Sequence, residues 1–416
     1  MTRPVDRSAL WLRWAWRDLR ARWLQVLAIA AIIAVGTGLY ASLTSSTQWR
    51  RDSYAASYRA LDAHDAVVRL ASGTYTSEGR LRSALDTLSP AFPVAAVVER
   101  LSAPTQIEAS SGGETLLVSG RLIGVDLANG GPVVDRIGVL AGRSLTEADR
   151  GQTVAVVDVN FAKRYDLPAA GTVRLGVGRE VTYVGHGQAP EQFLSISDSG
   201  SMFAQSSYAV FYTSIATAQD VLGAPGQVNE LAIRFAPGVA IDQATDALRD
   251  ALAASGLAAT VTRLDEDRAY TYLYNDIEGD QRFFDIFAVL ILTGAAFAAF
   301  NLTGRMVESQ RREFGIGMAL GANRFLLAVR PMLVALQIVV GGVVLGVLFG
   351  LFMNGLMRDL MVTFLPLPVW QTDFQLGAFG RGSLLGLTMP LLATIWPVVR
   401  ATRVAPVDAL RTAHLA

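Results

Sequence analysis

Four long apolar runs decide most of what this chain can become. Residues 24–43 carry no charge over 20 positions and 332–357 none over 26, while 382–399 is also uncharged. Residues 283–302 contain one acid, Asp285, near one end. About 20 apolar residues in a helix cross a hydrocarbon core ~30 Å thick, so each run is long enough, or nearly so, to span a bilayer. One run lies near the start and three fall in the last third, which leaves 44–282 as a large block between the first and second spans.

That block has a different texture. Serine, threonine, glycine and aspartate become common, and short alternating runs replace the long apolar ones. Residues 45–61 keep helical character, so the first helix is expected to continue past the membrane. Segments 66–70, 94–101, 115–125, 153–159, 172–176, 180–187, 208–212 and 230–235 read as strands. Helical patterns cover 77–88, 159–166, 213–222 and 241–254. Glycine and proline punctuate them at Pro90, Gly112, Gly130, Pro132 and Pro237. The expectation is a mixed α/β domain over 44–282, split into two lobes near Val98 and Asn229, because single cores seldom grow much beyond this size. Tyr270, Tyr272 and Tyr274 sit just before the second span, where aromatic rings suit the outer interface.

Arginine placement gives the orientation. Residues 1–23 hold six arginines, 303–332 five and 398–416 three, against only Arg358 and Arg381 in the short loop 358–381 and its borders. Basic loops stay in the cytoplasm, whereas long domains translocate whatever their charge. Both termini and 303–331 are therefore expected inside, with 44–282 outside. Within 1–23, arginines alternate with Trp11, Trp14, Trp16 and Trp23, a pattern suited to an amphipathic helix at the headgroup level. The run at 24–43 exceeds a signal-peptide core and lacks an Ala-x-Ala site, so it reads as an uncleaved first transmembrane helix.

Composition excludes several functions. Charged residues make up 17% of the chain, well below the roughly 25% of soluble domains, and the net charge is zero. Nothing points to nucleic acid. There is no cysteine, so disulfides, thiol catalysis and cysteine-ligated zinc are out. His64, His186 and His414 are scattered, fit no metal spacing, and are expected in loops or at the surface. No Gly-x-x-x-x-Gly-Lys-Ser/Thr occurs, and Lys163, the only lysine, lies in the α/β block. The serines of 195–203 have no histidine nearby and read as a loop. The acids at 265–267 lack the alternation of a calcium loop and read as solvated. No catalytic, cofactor-binding or metal residue is assigned.

The most informative stretch is 305–331, too polar to span. It holds Arg305, Arg311, Arg312, Arg324 and Arg330 against only Glu308 and Glu313. As one helix it would place Arg305, Glu308 and Arg312 on a shared face, with Phe314, Met318 and Leu320 as apolar contacts. Gly321 and Asn323 would then stop the helix and turn the chain. In the third span Gly342, Gly346 and Gly350 repeat every four residues, spacing that lets helix backbones approach closely in lipid. Pro390 is expected to bend the fourth span. Asp285 sits where a carboxylate can stay hydrated, with a proton or substrate contact as the less favoured reading.

These residues carry a resemblance. The order of span, large outer domain and three spans is similar to that of FtsX/MacB-type permeases, the half-transporters of type VII ABC systems. RREFGIGMALGANRFLL at 311–327 resembles that family's segment after the second span. The pattern Pro397, Arg400, Ala401, Arg403, Pro406, Val407, Ala409, Leu410, Arg411 resembles its C-terminal signature, and 140–167 resembles part of its outer domain. The resemblance implies an integral membrane α-helical protein of four transmembrane helices with a large mixed α/β, Porter/Sabre-like extracytoplasmic domain. It implies that the segment from Arg311 to Arg324 includes a coupling helix that docks on a cytoplasmic ABC ATPase. Two ATPase copies would pair with two permease chains, in a homo- or heterodimer. ATP and magnesium would sit on the ATPase, leaving no cofactor in this chain.

Under that resemblance ATP-driven motion passes to the outer domain, by mechanotransmission, and a lipid, lipoprotein, drug or peptide is exported or extracted. An alternative is FtsX-like signalling to an extracytoplasmic partner such as a cell-wall hydrolase. A passive membrane anchor, the third reading, would need no ATPase. Membrane lipids, and an extracytoplasmic protein or lipid substrate, complete the expected partners.

Overall fold

The computed structural model describes residues 20, 22–88, 90–111, 114–176, 178–194 and 208–403. Most of the basic segment 1–23, the 195–203 loop and the tail after Arg403 lie outside the described residues. Two compact units emerge. One comprises the chain up to Arg50, Glu278–Met361 and Thr372 onward; the other comprises Arg51–Ile277 and Val362–Gln371.

Helix α1, Trp23–Ala60, contains the first apolar run and the helical stretch after it. The polar residues that follow the run do not break it, because their hydroxyls return to the helix. Ser45 Oγ donates to the Ala41 carbonyl and Ser46 Oγ to that of Leu43, both at 2.7 Å.

The α/β unit contains two cores threaded on one strand. Strands β1 (Ala66–Leu70) and β2 (Thr76–Ser77) lead to helix α2 (Arg80–Asp86) and then to β3 (Val94–Ser111). An insertion follows: β4 (Glu114–Val125), β5 (Gly138–Gly142), β6 (Val154–Asp158), α3 (Val159–Arg164), β7 (Gly171–Leu175), β8 (Glu180–Gln188), β9 (Tyr208–Ser214) and α4 (Ile215–Leu222). The chain returns through β10 (Gln227–Val228), β11 (Glu230–Phe235), α5 (Ile241–Ala254) and β12 (Ala259–Arg263).

In the first core the sheet order is β12-β1-β11-β3, with α2 and α5 as crossovers. This is the β-α-β-β-α-β ferredoxin-like arrangement, interrupted between its second and third strands. Both helices pack on one face, where Leu81, Leu85, Leu248 and Leu252 meet Val68, Leu231 and Ile233. The inserted lobe extends the same sheet through β4-β9-β6-β8-β5. Its strands are covered on both faces: Leu122, Ala155 and Phe211 face one core, while Ile123, Val156, Val210 and Tyr212 face another. Burial on both sides explains why 208–212 reads as a continuous apolar run.

The handover between cores falls at Arg100 and Leu101. Up to Arg100 strand β3 pairs with β11, and from Leu101 it pairs with β4. On the return, the Asn229 side chain bridges the gap by accepting from Ser102 N at 2.8 Å and donating to Ser102 O at 2.7 Å. The sequence pattern stops at 101, whereas β3 runs on to Ser111. Pro104 obscures this continuation. It lies beyond the end of β11 and before β7 joins at Ile107, so its missing N–H removes no ladder bond there.

The 140–167 stretch is built for folding. Gly142 has φ +74°, and a Cβ there would lie 2.5 Å from the Val184 carbonyl oxygen. Arg143 grips Asp149 with two bonds of 2.7 and 2.8 Å, while Thr146 completes a capping box with the same carboxylate. The Arg143 bond and the Thr146 donors hold the Asp149 carboxyl down at about 2.

The remaining helices are α6 (Arg268–Ser309), α7 (Arg311–Ala319), α8 (Arg324–Phe364) and α9 (Leu376–Thr402). With α1, three of these are long and apolar enough to cross a membrane. Helix α8 lays its glycine ladder against α1. A Cβ on Gly342 would stand 2.9 Å from Ile33 Cβ, one on Gly346 3.0 Å from the Ala34 carbonyl oxygen, and one on Gly350 3.1 Å from that of Gly38. The fit is reciprocal, since a Cβ on Gly38 would stand 2.6 Å from the Gly346 carbonyl oxygen. Gly341 and Gly355 face open space. Pro390 is buried, and α9 continues as a single helix through both Pro390 and Pro397. Asp285 joins an interhelical cluster: it accepts from Gln281 Nε2 at 2.8 Å, and Gln281 Oε1 bonds the Thr47 hydroxyl at 2.7 Å.

Overpacking a tight contact typically costs about 1–3 kcal/mol. Gly346→Val and Gly38→Val are therefore expected to lower the thermal midpoint of the detergent-solubilised protein clearly, and Gly355→Ala to leave it unchanged. Equal midpoints for Gly346→Val and Gly355→Ala would remove the role given to the ladder.

Candidate functional site

Between the second and third spans the chain does not form one helix. At Gln310 the backbone turns to φ −100°, ψ 7°, ending α6 and starting the nine-residue α7 at Arg311. The single face expected for Arg305, Glu308 and Arg312 is corrected by this break. Arg305 and Glu308 ride on α6 and line a cleft together with Arg311, whereas Arg312 is exposed on α7.

The turn that ends α7 is fixed on both sides. The helix C-terminus closes in a Schellman motif, with Ala322 N donating to Gly317 O at 2.9 Å and Gly321 N to Met318 O at 3.0 Å. Gly321 takes φ +84°, the left-handed conformation that glycine adopts without strain. Asn323 then caps α8 by accepting from Phe325 N at 3.1 Å. Glu313 is tied to Arg330 at 2.9 Å, Glu308 to Arg311 at 3.2 Å, and Ser309 Oγ accepts from Arg22 at 2.9 Å.

Phe314 is not an exposed contact. It is 6% exposed and packs with Val307, Val398, Leu327 and Met332, so it anchors α7 to α6, α8 and α9. Met318 is half-buried on the same side. The outward surface consists instead of Arg312, Ile316 and Leu320, spaced four residues apart on one helix face, with Phe325 just beyond the turn. Leu320 is 83% and Phe325 78% exposed. Ile316 and Phe325 were not singled out from sequence, though the i, i+4, i+8 spacing of Arg312, Ile316 and Leu320 was there to be read.

A second constellation lies in the α/β unit. The Arg100 side chain is buried at the handover point of β3 and meets three carboxylates: Glu191 at 2.9 Å, Asp135 at 3.1 Å and Glu230 at 3.1 Å. Arg69 adds a 2.8 Å bond to Glu191. His64 Nδ1 lies 2.9 Å from Asp135, whose carboxylate also accepts from the His64 backbone. Arg121 also faces Glu230, at 3.8 Å, so three guanidiniums meet the three carboxylates, and His64 adds a further cation when its imidazole is protonated. Burial opposes charge on His64, but Asp135 and Glu191 outweigh it and hold the imidazole above its ordinary value. Burial likewise opposes charge on Glu191, yet Arg100 and Arg69 hold its carboxyl well below the usual range. His64 lies in the loop between α1 and β1 as expected, but both it and His186, on β8, are buried, which corrects a surface placement. His186 bonds the Pro168 carbonyl at 2.9 Å. His64, Asp135 and Glu191 converge closely enough for metal ligands, but Arg100 bonds both carboxylates and supplies the cation that a metal would.

Comparison with known proteins follows the two halves of the chain. Residues 26–251 match the family described as MacB-like periplasmic core domain, and 286–406 match the FtsX-like permease C-terminal family. The macrolide export ATP-binding/permease proteins MacB of Salmonella paratyphi A and Salmonella typhi are similar, each 26% identical over 276 residues. The match covers 64% of this chain and 39% of theirs, so the chain spans about two fifths of the length of these curated relatives. Among solved structures, the periplasmic region of MacB from Actinobacillus actinomycetemcomitans aligns at 18% identity with a TM-score of 0.34, over 50% of this chain and 92% of that one. The extracellular domain of the noncanonical ABC-type transporter YknZ from Gram-positive bacteria aligns at 14% and 0.33, over 47% and 98%.

Removing one partner of a buried ion cluster costs about 3–5 kcal/mol. Arg100→Met is therefore expected to destabilise the protein by that order in chemical denaturation. The His64 contribution has a definite sign. Its folded value is raised, so the stabilisation is complete below the ordinary imidazole value and is lost as pH rises through the raised one. The stability gap between wild type and His64→Gln should be widest in mildly acid solution and close toward alkaline pH. A gap constant with pH would show that His64 titrates alike in the folded and unfolded protein, and a gap that narrows in acid would show that the fold holds it neutral.

Proposed function

Because the chain belongs to the MacB/FtsX-type ABC permeases, we propose that it passes the motion of a cytoplasmic ATPase to its α/β domain through α7. The observation that carries this reading is α7 itself. It is a short helix set off from α6 at Gln310, closed at its C-terminus and anchored inward by Phe314, with Arg312, Ile316 and Leu320 left outward and unpaired among the described residues. Large apolar side chains flanked by arginine suit the centre of a protein interface better than a lipid-facing surface. A helix fastened this way moves with its supports, and those supports are α6, α8 and α9.

Connectivity supports the rest of the proposal. Helices α1 and α6 each belong to both compact units, α1 dividing at Arg50 and α6 after Ile277. A displacement of α6 at its α7 end is carried along a continuous helix into the α/β unit. We place ATP and magnesium on a partner subunit, in two copies that face two permease chains. We place the 303–331 loop in the cytoplasm and the α/β domain outside, as the arginine distribution favours. The work done is export or extraction of a hydrophobic or envelope substrate.

The test is co-purification with an ATPase expressed alongside the chain. Arg312→Glu combined with Leu320→Asp is expected to reduce ATPase recovery at least about tenfold, the scale of an interface hot spot. Gly355→Ala, whose site faces open space, should recover ATPase like wild type. Undiminished recovery by the double variant would sink the docking role of α7.

A further inference from the structure

At the arginine-rich end of the membrane unit, α6, α7 and α9 enclose a cleft of about 530 Å³. One wall is aromatic: Phe300 and Trp396 stack with ring centroids 5.8 Å apart. The Arg400 guanidinium stands 5.2 Å over the Trp396 ring. Arg305 and Arg311 also line the cleft, and Glu308, bonded to Arg311, is the one acid among the lining residues. Three cations against one carboxylate leave the cleft with a surplus of positive charge. Arg311 Nε is buried there without a hydrogen-bond partner, and an unsatisfied buried donor is costly unless something accepts from it.

The position narrows the ligand. The apolar run of α6 ends at residue 302 and that of α9 at 399, so Arg305 and Arg400 stand just past the hydrocarbon limit. Trp396, 57% exposed, is placed as interfacial tryptophans are. We propose that this cleft holds the headgroup of an anionic phospholipid, with phosphodiester oxygens accepting from Arg305, Arg311 and Arg400. The acyl chains would then run along the exposed Phe297 and Trp396. Basic pockets between membrane helices bind anionic headgroups in this way, and guanidinium matches phosphate oxygens in geometry as well as charge. A zwitterionic headgroup brings its own cation, which the arginines repel. A free phosphate would leave the aromatic wall unused. The proposal goes beyond the docking reading, because Arg312, Ile316 and Leu320 do not line the cleft.

The test counts lipids retained by the full-length chain after transfer from phosphatidylcholine nanodiscs with phosphatidylglycerol added, using native mass spectrometry. Wild type should retain phosphatidylglycerol in preference to phosphatidylcholine. Arg400→Gln should cut that preference about fivefold, the effect of one arginine at an anionic surface. Arg400→Lys should keep most of it, while Arg358→Gln, on α8 and away from the cleft, should keep all of it. Added inorganic phosphate should not displace the lipid. ATPase recovery by Arg400→Gln should equal that of wild type, which separates this site from the docking face. Equal phosphatidylglycerol retention by Arg400→Gln and wild type would overturn the proposal. So would displacement by inorganic phosphate, or absence of any preference in wild type.

Discussion

Arg100 stands where strand β3 leaves one core and enters the next, and the α/β domain depends on how its charge is compensated. A guanidinium this deeply buried could not be tolerated alone, since desolvating an ion costs several kcal/mol even after relaxation. Its three carboxylates come from three places: Asp135 in the connection after β4, Glu191 just after β8, and Glu230 at the start of β11. Each is itself a buried charge that needs Arg100. The cluster can therefore be satisfied only when both lobes and the end of α1, through His64, are in their folded places together. Such a cluster adds less net stability than an apolar core would, but it penalises partial assembly. The proposed transmission of motion to this domain would benefit from that property.

The membrane unit meets a different constraint. Hydrophobicity does not drive one apolar helix onto another in lipid, so contact depends on close packing. Glycine on both α1 and α8 brings carbonyl oxygens within reach of the facing helix, and this concentrates the ladder inside the protomer. The three ladder glycines are thereby committed to α1. Apolar residues elsewhere, such as Phe283, Ile286 and Leu290 on α6, stay exposed on the surface of this unit.

Much of this was legible in the sequence because the signals were local. The four spans needed only uncharged length, and the ladder only a four-residue repeat. Gly321 and Asn323 announced a helix stop and a turn, and the structure uses them as a left-handed cap and an N-cap. What was missed was non-local. His64 looked like a stray polar residue because its partners, Asp135, Arg100 and Glu191, are distant in sequence. Pro104 concealed half of β3, since nothing in the sequence shows where β11 ends. Gln310 gave no warning of a break, having neither glycine nor proline beside it. That break reassigned Arg305 and Glu308 from an outward face to a cleft. Phe314 was read as an outward contact for the same reason: without the packing of Val398 and Met332, an aromatic on a short amphipathic helix has no preferred side.

The break at Gln310 separates the two proposed tasks, docking and lipid binding, that a continuous helix would have merged. On an unbroken α6 Arg305 and Arg312 would share one surface, and a partner gripping that surface would compete with lipid for it. With the chain turned at Gln310, Arg305 and Arg311 face a cleft lined by Trp396 and Arg400, while Arg312 faces out with Ile316 and Leu320. Phe314 and Gly315 lie buried between the two sets. A load applied to the outward face reaches α6 and α9 through the Phe314 contacts, without passing through the charged cleft. The same nine residues can then be held on one side and pulled on the other, as the proposed coupling role requires.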